Sequence, residues 1–190
     1  MRPIIFIGDS LTFGFGLYPN EGFVSKLSKS LKYETILNKG VNGDTSSGIL
    51  SRYYKDVVSK NPKAVCILCG TNDFLSGRNA DYVIDNLQLM IKDLILMDTK
   101  IIICIPPIIL KDLAEELFSY SSYYDHALTS LPELREKILC LKKIYPIEIL
   151  DLYTLTKENI SKGIFLDGIH LNSMGNTLIF NSMLPLFKGF

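Results

Sequence analysis

The chain has 190 residues with 20 basic and 20 acidic side chains, so its formal net charge is zero. This length predicts one domain, residues 1–190, that can bury a core without disulfides, and the balanced charge argues against a nucleic-acid partner. The mean hydropathy is +0.22, but the longest apolar run, residues 101–110, contains two prolines and is shorter than the roughly 20 residues of a membrane span, which predicts no integral membrane segment.

Five short apolar runs predict β-strands. Most of them lack the alternation of polar and apolar residues, which is typical of strands covered on both faces of a parallel sheet. The predicted strands are residues 3–7, 35–37, 64–69, 100–105 and 147–152. Helical periodicity separates them, so the sequence predicts a three-layer α/β/α sandwich with a five-stranded parallel sheet.

Apolar residues at helical spacing predict the first three helices, in residues 23–31, 49–58 and 82–97. A capping box, Ser130-Leu-Pro-Glu133, predicts the start of the next helix, and Asn172 or Ser173 is expected to cap the last one. Residues 111–129 fit no simple pattern and contain four aromatic side chains. Two interpretations of this segment stay open: an additional helix with core aromatics, and a lid or wall of an acyl pocket.

The first residues and the cysteines both favour a cytoplasmic location. Only residues 4–7 form an apolar run near the N-terminus, whereas a signal peptide needs roughly 7–15 apolar residues. The cysteines stand among Ile, Leu and Val and are expected to be small buried hydrophobes; they are Cys66, Cys69, Cys104 and Cys140. Cys66 and Cys69 lie three apart in a predicted strand and should face opposite sides of the sheet, which argues against a disulfide or a shared metal.

Four polar motifs follow predicted strands. They are Gly8-Asp9-Ser10-Leu11-Thr12, Gly40-Val-Asn-Gly43-Asp-Thr-Ser46, Gly70-Thr71-Asn72-Asp73 and Asp167-Gly-Ile-His170. Each alone is compatible with an ordinary turn or helix cap. Because the carboxyl ends of parallel strands meet at one edge of a sheet, all four are expected at the same rim.

Together these motifs predict acyl-transfer chemistry. A serine hydroxyl such as that of Ser10 needs a base to take its proton, and His170 is the candidate base. Asp167 is expected to bind the imidazole Nδ1–H and to hold the required tautomer. Donors for a developing oxyanion are the backbone N–H groups of Ser10 and Gly43 and the side-chain amide of Asn72.

On these motifs the chain resembles the SGNH hydrolases, the GDSL-type lipases and esterases. The four letters of the name fall on Ser10, Gly43, Asn72 and His170, and the match extends in order from residue 5 to residue 172. The resemblance implies a flavodoxin-like fold, a Ser-His-Asp triad that includes Asp167, an acyl-serine intermediate, and no cofactor or metal. In its compactness the chain is similar to small bacterial lysophospholipase, thioesterase and arylesterase members.

The substrate is less well determined than the reaction. Asp9 is expected to support the nucleophile loop through a helix cap. Apolar residues near the motifs suggest a pocket for an acyl or aryl group; the candidates are Phe13, Phe15, Phe74, Leu75, Phe165 and Ile169. Small-molecule acyl esters of several kinds remain open, including lysophospholipids, thioesters, aryl esters and sugar acetates, as does acyl transfer to an alcohol other than water. The oligomeric state is open as well.

Two alternatives lie outside catalysis. A flavodoxin-like nucleotide or flavin binder would use the same sheet, and Gly14-Phe-Gly16-Leu-Tyr-Pro19 partly resembles a dinucleotide loop, but Pro19 occupies the place of its third glycine. An inactive binding module on the same fold is the other alternative, since a fold does not imply an activity.

Overall fold

The protein is built around one parallel sheet, as seen in a computed structural model that describes residues 2–32 and 34–187. The strands are β1 (Ile4–Gly8), β2 (Ile36–Gly40), β3 (Ala64–Leu68), β4 (Lys100–Ile105) and β5 (Ile147–Asp151). Their order across the sheet is β2-β1-β3-β4-β5, with every neighbouring pair parallel. This arrangement confirms the predicted α/β/α sandwich with five parallel strands.

Helices alternate with these strands along the chain. They are α1 (Ser10–Phe13), α2 (Phe23–Ser30), α3 (Ser46–Asp56), α4 (Thr71–Phe74), α5 (Ala80–Leu96), α6 (Lys111–Leu117), α7 (Ser122–Leu141), α8 (Leu152–Glu158) and α9 (Ser173–Met183). Short 3₁₀ turns occupy Val58–Lys60, Ile160–Lys162 and Leu184–Phe187. Within the described ranges, none of the helices has the length and apolarity needed to cross a bilayer.

The sheet separates two hydrophobic clusters. On β1, Ile5 and Ile7 face the cluster that includes α3, α5 and α7, while Ile4 and Phe6 face the cluster that includes α2 and α9. Alternate residues of a strand point to opposite faces, so a strand covered on both sides must be apolar throughout. This requirement explains the uninterrupted apolar runs of the sequence.

The cysteines follow the same geometry with one exception. Cys66 and Cys69 are buried in different clusters, as their spacing predicts, and neither forms a disulfide. Cys104 is also buried, but Cys140 is exposed, contrary to the expectation for all four. Cys140 lies near the end of α7, on the face that turns away from the core.

The second strand differs from its prediction because it lies at the edge of the sheet. β2 extends from Ile36 to Gly40, beyond the predicted end at residue 37. Asn38 is exposed, the other four residues are partly buried, and Lys39 forms an ion pair with Asp56. An edge strand is covered less completely than a central one, so polar residues occupy it and conceal it from a search for apolar runs.

The predicted helix start at Ser130 is wrong. Helix α7 begins at Ser122 after the N-cap Ser121, whose hydroxyl accepts from the Tyr123 N–H, and it continues through Pro132 to Leu141. A proline inside a helix removes one backbone hydrogen bond and crowds the carbonyl four residues earlier. The burial of one face of α7 on both sides of the proline offsets this cost; that face includes Tyr124, Ala127, Leu131, Leu134 and Ile138.

The segment 111–129 forms α6 and the first part of α7, which confirms its helical interpretation. Its aromatic side chains are mostly outside the core, contrary to the expectation. Tyr124 is buried, whereas Phe118, Tyr120 and Tyr123 are exposed. The alternative of a lid or pocket wall stays a prediction.

Candidate active site

The three candidate catalytic side chains meet at the carboxyl ends of the strands. Ser10 begins α1 directly after β1, and its Oγ lies 2.9 Å from Nε2 of His170, a residue 160 positions later in the chain. The Nδ1 atom of His170 lies 2.7 Å from Oδ2 of Asp167. An ionised carboxylate only accepts, so this contact requires Nδ1–H and leaves Nε2 able to accept the Ser10 proton.

Local backbone geometry holds the Asp167 carboxylate in place. Its Oδ1 atom accepts from the backbone N–H groups of Ile169 at 3.0 Å and His170 at 2.7 Å. Burial pushes the pKa of Asp167 upward, but the hydrogen bonds donated by the His170 ring and by these two N–H groups together bring it below its ordinary value. The carboxylate is therefore ionised at neutral pH.

A glycine allows this loop to approach its neighbours. Gly168 has a φ of +87°, and a Cβ atom there would lie 2.5 Å from the Leu110 carbonyl oxygen and 2.7 Å from the Ala114 nitrogen. The Leu110 N–H donates to the Gly168 carbonyl at 2.8 Å. The loop after β4 thus supports the Asp167 loop directly, and only glycine fits the contact.

The residue before the nucleophile is a buried acid. Asp9 is 1% exposed and caps α1, with its Oδ1 accepting from the Leu11 N–H at 2.9 Å. Burial raises the pKa of Asp9 to about 7, although the Leu11 hydrogen bond and His170 oppose the rise. Asp9 thus caps the helix that begins with Ser10, and its support of the nucleophile loop stays a prediction.

The candidate oxyanion donors lie on three different loops. Ser10 occupies the first turn of α1, where a backbone N–H has no acceptor within the helix. Gly43 is exposed and has a φ of +76°, with no atom within 4 Å of the position a Cβ would take. The Asn72 side chain donates one N–H to the Asp44 carbonyl at 2.9 Å, and an amide nitrogen has a second N–H to offer.

A polar network beneath these loops was not foreseen from the sequence. The Asp73 carboxylate is fully buried and accepts from the Ser46 N–H at 2.8 Å and from the Ser46 hydroxyl at 2.7 Å. Asn86 of α5 donates to the same hydroxyl at 2.8 Å. On the other side, Arg52 of α3 binds Asp44. Charged residues on a helix ordinarily indicate a solvated face, so the sequence carries no clear signal of this network.

The proposed pocket residues divide into exposed and buried sets. Phe13 and Phe15 are 55% and 40% exposed, and the Phe15 ring centroid lies 4.5 Å from that of His170. Phe74, a candidate pocket residue, is instead completely buried in the core with its ring nearly perpendicular to that of His126, and Phe165 belongs to the opposite core cluster. The remaining candidates, Leu75 and Ile169, are partly buried and pack against the core.

Two cavities lie near these elements. A narrow one of about 10 Å³ is bordered by Ser10, Phe15 and His170, which is room for about one water molecule. A larger apolar cleft of about 280 Å³ follows β4. Its lining includes Ile108, Ile109, Leu110, Leu128, Leu131 and Tyr153. This cleft could not be predicted from the sequence, because its residues come from three separate segments of the chain.

A sequence profile of the GDSL-like lipase/acylhydrolase family matches residues 6–178. The chain belongs to this family. A stretch of 93 residues is 32% identical to the esterase TesA of Pseudomonas aeruginosa and covers 47% of this chain. The same stretch covers 46% of that esterase, so the chain spans about half the length of this curated relative.

Solved structures of GDSL-type proteins and esterases have the same fold. A member of the lipolytic G-D-S-L family from Veillonella parvula superposes with a TM-score of 0.84 at 24% identity, over 100% of both chains. An acetylxylan esterase from Geobacillus stearothermophilus superposes with a TM-score of 0.81 at 18% identity, over 100% of this chain and 94% of that one. The family is one of lipases and acylhydrolases, which favours an esterase over the nucleotide- or flavin-binding alternative.

Proposed function

We propose that this GDSL-family hydrolase cleaves carboxylic esters through an acyl-serine intermediate, with Ser10, His170 and Asp167 as its catalytic triad. The observation that carries the proposal is the continuous chain of contacts from Ser10 Oγ to His170 Nε2 at 2.9 Å and from His170 Nδ1 to Asp167 Oδ2 at 2.7 Å. Each atom is at hydrogen-bond distance from the partner that proton transfer requires.

In the first half of the reaction, the Ser10 oxygen forms a bond to the ester carbonyl carbon while His170 Nε2 accepts the serine proton. The carbonyl electron pair moves onto oxygen and gives a tetrahedral oxyanion. The oxyanion then collapses, the bond to the leaving alcohol breaks, and the imidazolium gives its proton to that alcohol. An acyl-Ser10 ester remains, and Asp167 stabilises the imidazolium throughout.

In the second half, water takes the place of the alcohol. His170 accepts a proton from water as the water oxygen attacks the acyl carbon, and it returns a proton to Ser10 as the carboxylic acid leaves. The oxyanion of both halves is stabilised by N–H groups of Ser10, Gly43 and Asn72 in this proposal. Such preorganised donors contribute about 10²–10³ in rate each.

For the substrate, we favour an ester with an apolar acyl or aryl group, of the lysophospholipase, arylesterase or thioesterase kind. The exposed ring of Phe15 borders the same cavity as Ser10, and Phe13 and Leu166 are exposed apolar side chains next to the motifs of Ser10 and Asp167 in the chain. The similarity to the esterase TesA over about half of its length supports an ester as the substrate. A carbohydrate O-acetylesterase is the alternative suggested by the acetylxylan esterase neighbour, whose likeness concerns the fold.

Serine labelling tests the mechanism. Purified protein should hydrolyse p-nitrophenyl acetate and should be labelled by a fluorophosphonate at Ser10, and Ser10→Ala should lose both properties. Ser59→Ala is the matched control, because the Ser59 hydroxyl is exposed and donates only to the Lys55 carbonyl. Retained turnover or labelling in Ser10→Ala would remove Ser10 from the mechanism.

A series of p-nitrophenyl esters of increasing acyl length tests the substrate class. If the rim binds an acyl chain, kcat/KM should rise from acetate to the medium-chain esters. Each buried methylene contributes about 0.8 kcal/mol, which corresponds to roughly a fourfold increase. A steep fall beyond acetate, together with release of acetate from acetylated xylo-oligosaccharides, would favour the carbohydrate esterase instead.

A further inference from the structure

We propose that Arg52 is a positioning residue that sets the geometry of the oxyanion hole, an inference that rests on the function proposed above. Arg52 lies on α3, and its side chain is 19% exposed. Its hydrogen bonds go to neither Ser10 nor His170. Its guanidinium group instead connects the loop that carries the nucleophile with the loop that carries Gly43.

Three donor atoms of Arg52 have three different acceptors. Nε donates to Asp44 Oδ2 at 2.7 Å, Nη1 to Asp56 Oδ2 at 2.8 Å, and Nη2 to the Gly8 carbonyl at 3.0 Å. Because the planar guanidinium presents these donors in a fixed arrangement, the side chain fixes the distances between its acceptors in addition to supplying a positive charge. Asp56 anchors the group from its own helix, and the other two acceptors belong to the site.

One of the two acceptors in the site, the Gly8 carbonyl, lies beside the proposed nucleophile in the chain. The Gly8 carbonyl is two residues before Ser10, and it also accepts from the Val41 N–H of the following loop at 3.0 Å. Arg52 and Val41 therefore bind the same oxygen at the end of β1. This shared contact ties the position of Ser10 to the loop that contains Gly43.

The other acceptor in the site, Asp44, orients the Asn72 amide. The Asp44 carboxylate receives Arg52 on one oxygen and the Thr45 N–H on the other, at 3.1 Å. The Asp44 backbone carbonyl receives one N–H of the Asn72 side chain at 2.9 Å. Because one amide hydrogen is bound there, the direction of the second, which is offered to the oxyanion, depends on where Asp44 is held.

Arg52 thus contacts both loops whose relative position defines the hole. A partly exposed ion pair by itself contributes about 0–1 kcal/mol to stability. The stabilisation of the transition state by an oxyanion hole is far more sensitive to the position of its donors, since they act only when they are aimed at the developing charge. Loss of Arg52 is therefore expected to affect the rate of the chemical step more than the stability of the fold.

Steady-state kinetics of Arg52→Gln and Arg52→Lys with p-nitrophenyl acetate provide the test. Arg52→Gln should lower kcat about 10- to 100-fold with KM within about twofold, as expected for interactions made mainly in the transition state. Arg52→Lys, which keeps the charge but not the fork of donors, should recover only part of the loss. Full recovery by lysine, or a wild-type kcat in Arg52→Gln, would overturn the proposal.

Matched controls and a double-mutant cycle separate positioning from general stability. Arg135 forms comparable ion pairs with Asp151 and Glu136, outside the four motif loops, so Arg135→Gln should keep kcat within about twofold. In an Asn72→Ala background, Arg52→Gln should cost less than in the wild type, because one of the donors that it positions is absent. Additive losses would overturn the proposal.

Two further variants, Asp44→Asn and Ser10→Ala, distinguish a failure of the Arg52 proposal from a failure of the proposed function. If Arg52→Gln does not fold, Asp44→Asn weakens the same contact with little change in volume and should reproduce the fall in kcat; a wild-type kcat there would overturn the proposal. Retained activity in Ser10→Ala would defeat the proposed function itself. Loss of activity in Ser10→Ala combined with a wild-type kcat in Arg52→Gln would defeat only the role of Arg52.

Discussion

The Phe15 ring packs against the His170 imidazole, with ring centroids 4.5 Å apart and an interplanar angle of 38°. The backbone places this ring firmly, because the Phe15 N–H donates to the Ser10 carbonyl at 3.0 Å as α1 ends. The same short segment that presents Ser10, the proposed nucleophile, thus also covers one face of His170, the proposed base. Such a contact restricts the rotation of the imidazole away from Ser10.

Replacing Phe15 should therefore reduce the rate of acylation. Aromatic pairs contribute about 0.5–1.5 kcal/mol beyond their buried area, so Phe15→Ala is expected to lower kcat/KM by about 2- to 13-fold. Phe15→Tyr should retain most of the activity. The measurement is the rate of fluorophosphonate labelling, with Tyr18→Ala as a control, since Tyr18 is 81% exposed. An unchanged labelling rate in Phe15→Ala would show that His170 does not need this contact.

Asp167→Asn should inactivate the enzyme without unfolding it. An asparagine amide can turn its N–H toward Nδ1 of His170 and select the tautomer that protonates Nε2, which then cannot accept from Ser10. We expect kcat to fall about 10³- to 10⁴-fold. Steady-state kinetics and circular dichroism check this together, and a loss of less than tenfold in a folded variant would mean that Asp167 is not the partner of His170.

The buried Asp9 should make folding stability depend on pH. Burial raises its pKa from 3.8 to about 7. Between these two values the unfolded chain has lost the Asp9 proton while the folded protein retains it, so stability falls as the pH rises through this window. Above the folded value both states are ionised and the effect of pH levels off.

Asp9→Asn should remove this dependence, since asparagine is a comparable N-cap and stays neutral. At pH 8 the variant should be more stable than the wild type by up to roughly 4 kcal/mol, and near pH 4 the two should be similar. Urea unfolding across this range measures the difference. Asp85→Asn, on an exposed position of α5, is the control, and parallel pH profiles for wild type and Asp9→Asn would refute the prediction.

Gly43, the glycine proposed for the oxyanion hole, has a matched control in Gly163. Both have positive φ, +76° and +62°, and neither has an atom within 4 Å of an added Cβ. Alanine at either position should therefore cost about 1–2 kcal/mol of stability through backbone strain alone. Gly43→Ala should in addition lower kcat roughly 10- to 100-fold, because a shifted loop misdirects its N–H. Equal activities in the two variants would remove Gly43 from the hole.

The central strands were predictable because each residue there meets the same environment on both faces. Ile101 to Ile105 are all buried, so their apolar character is continuous in the sequence. The edge strand β2 and the start of helix α7 were harder to predict from the sequence. Lys39 lies in β2 because one side of that strand is open, and Pro132 lies inside α7 because tertiary packing on both sides of it outweighs a local helix-stopping signal.

The candidate catalytic residues could be found in the sequence for a related reason. Ser10, Asn72 and His170 each stand in a short motif whose turn chemistry is local, and parallel strands bring such turns to one edge. The residues that surround them were not visible in this way. Phe74 is next to Asp73 in the chain but turns into the core, and Arg52 resembles any charged residue on an exposed helix face.

From the sequence alone, the fold class, the family and the candidate nucleophile, base and acid could be determined, because burial on two faces and motif chemistry are encoded over a few consecutive residues. Only the tertiary structure decided that Ser10 and His170, 160 positions apart, lie at 2.9 Å. It also decided that Phe15 covers His170 and that Arg52 joins the two loops of the site. Contacts between distant segments depend on side-chain direction and on the packing of several elements at once, which no local pattern specifies.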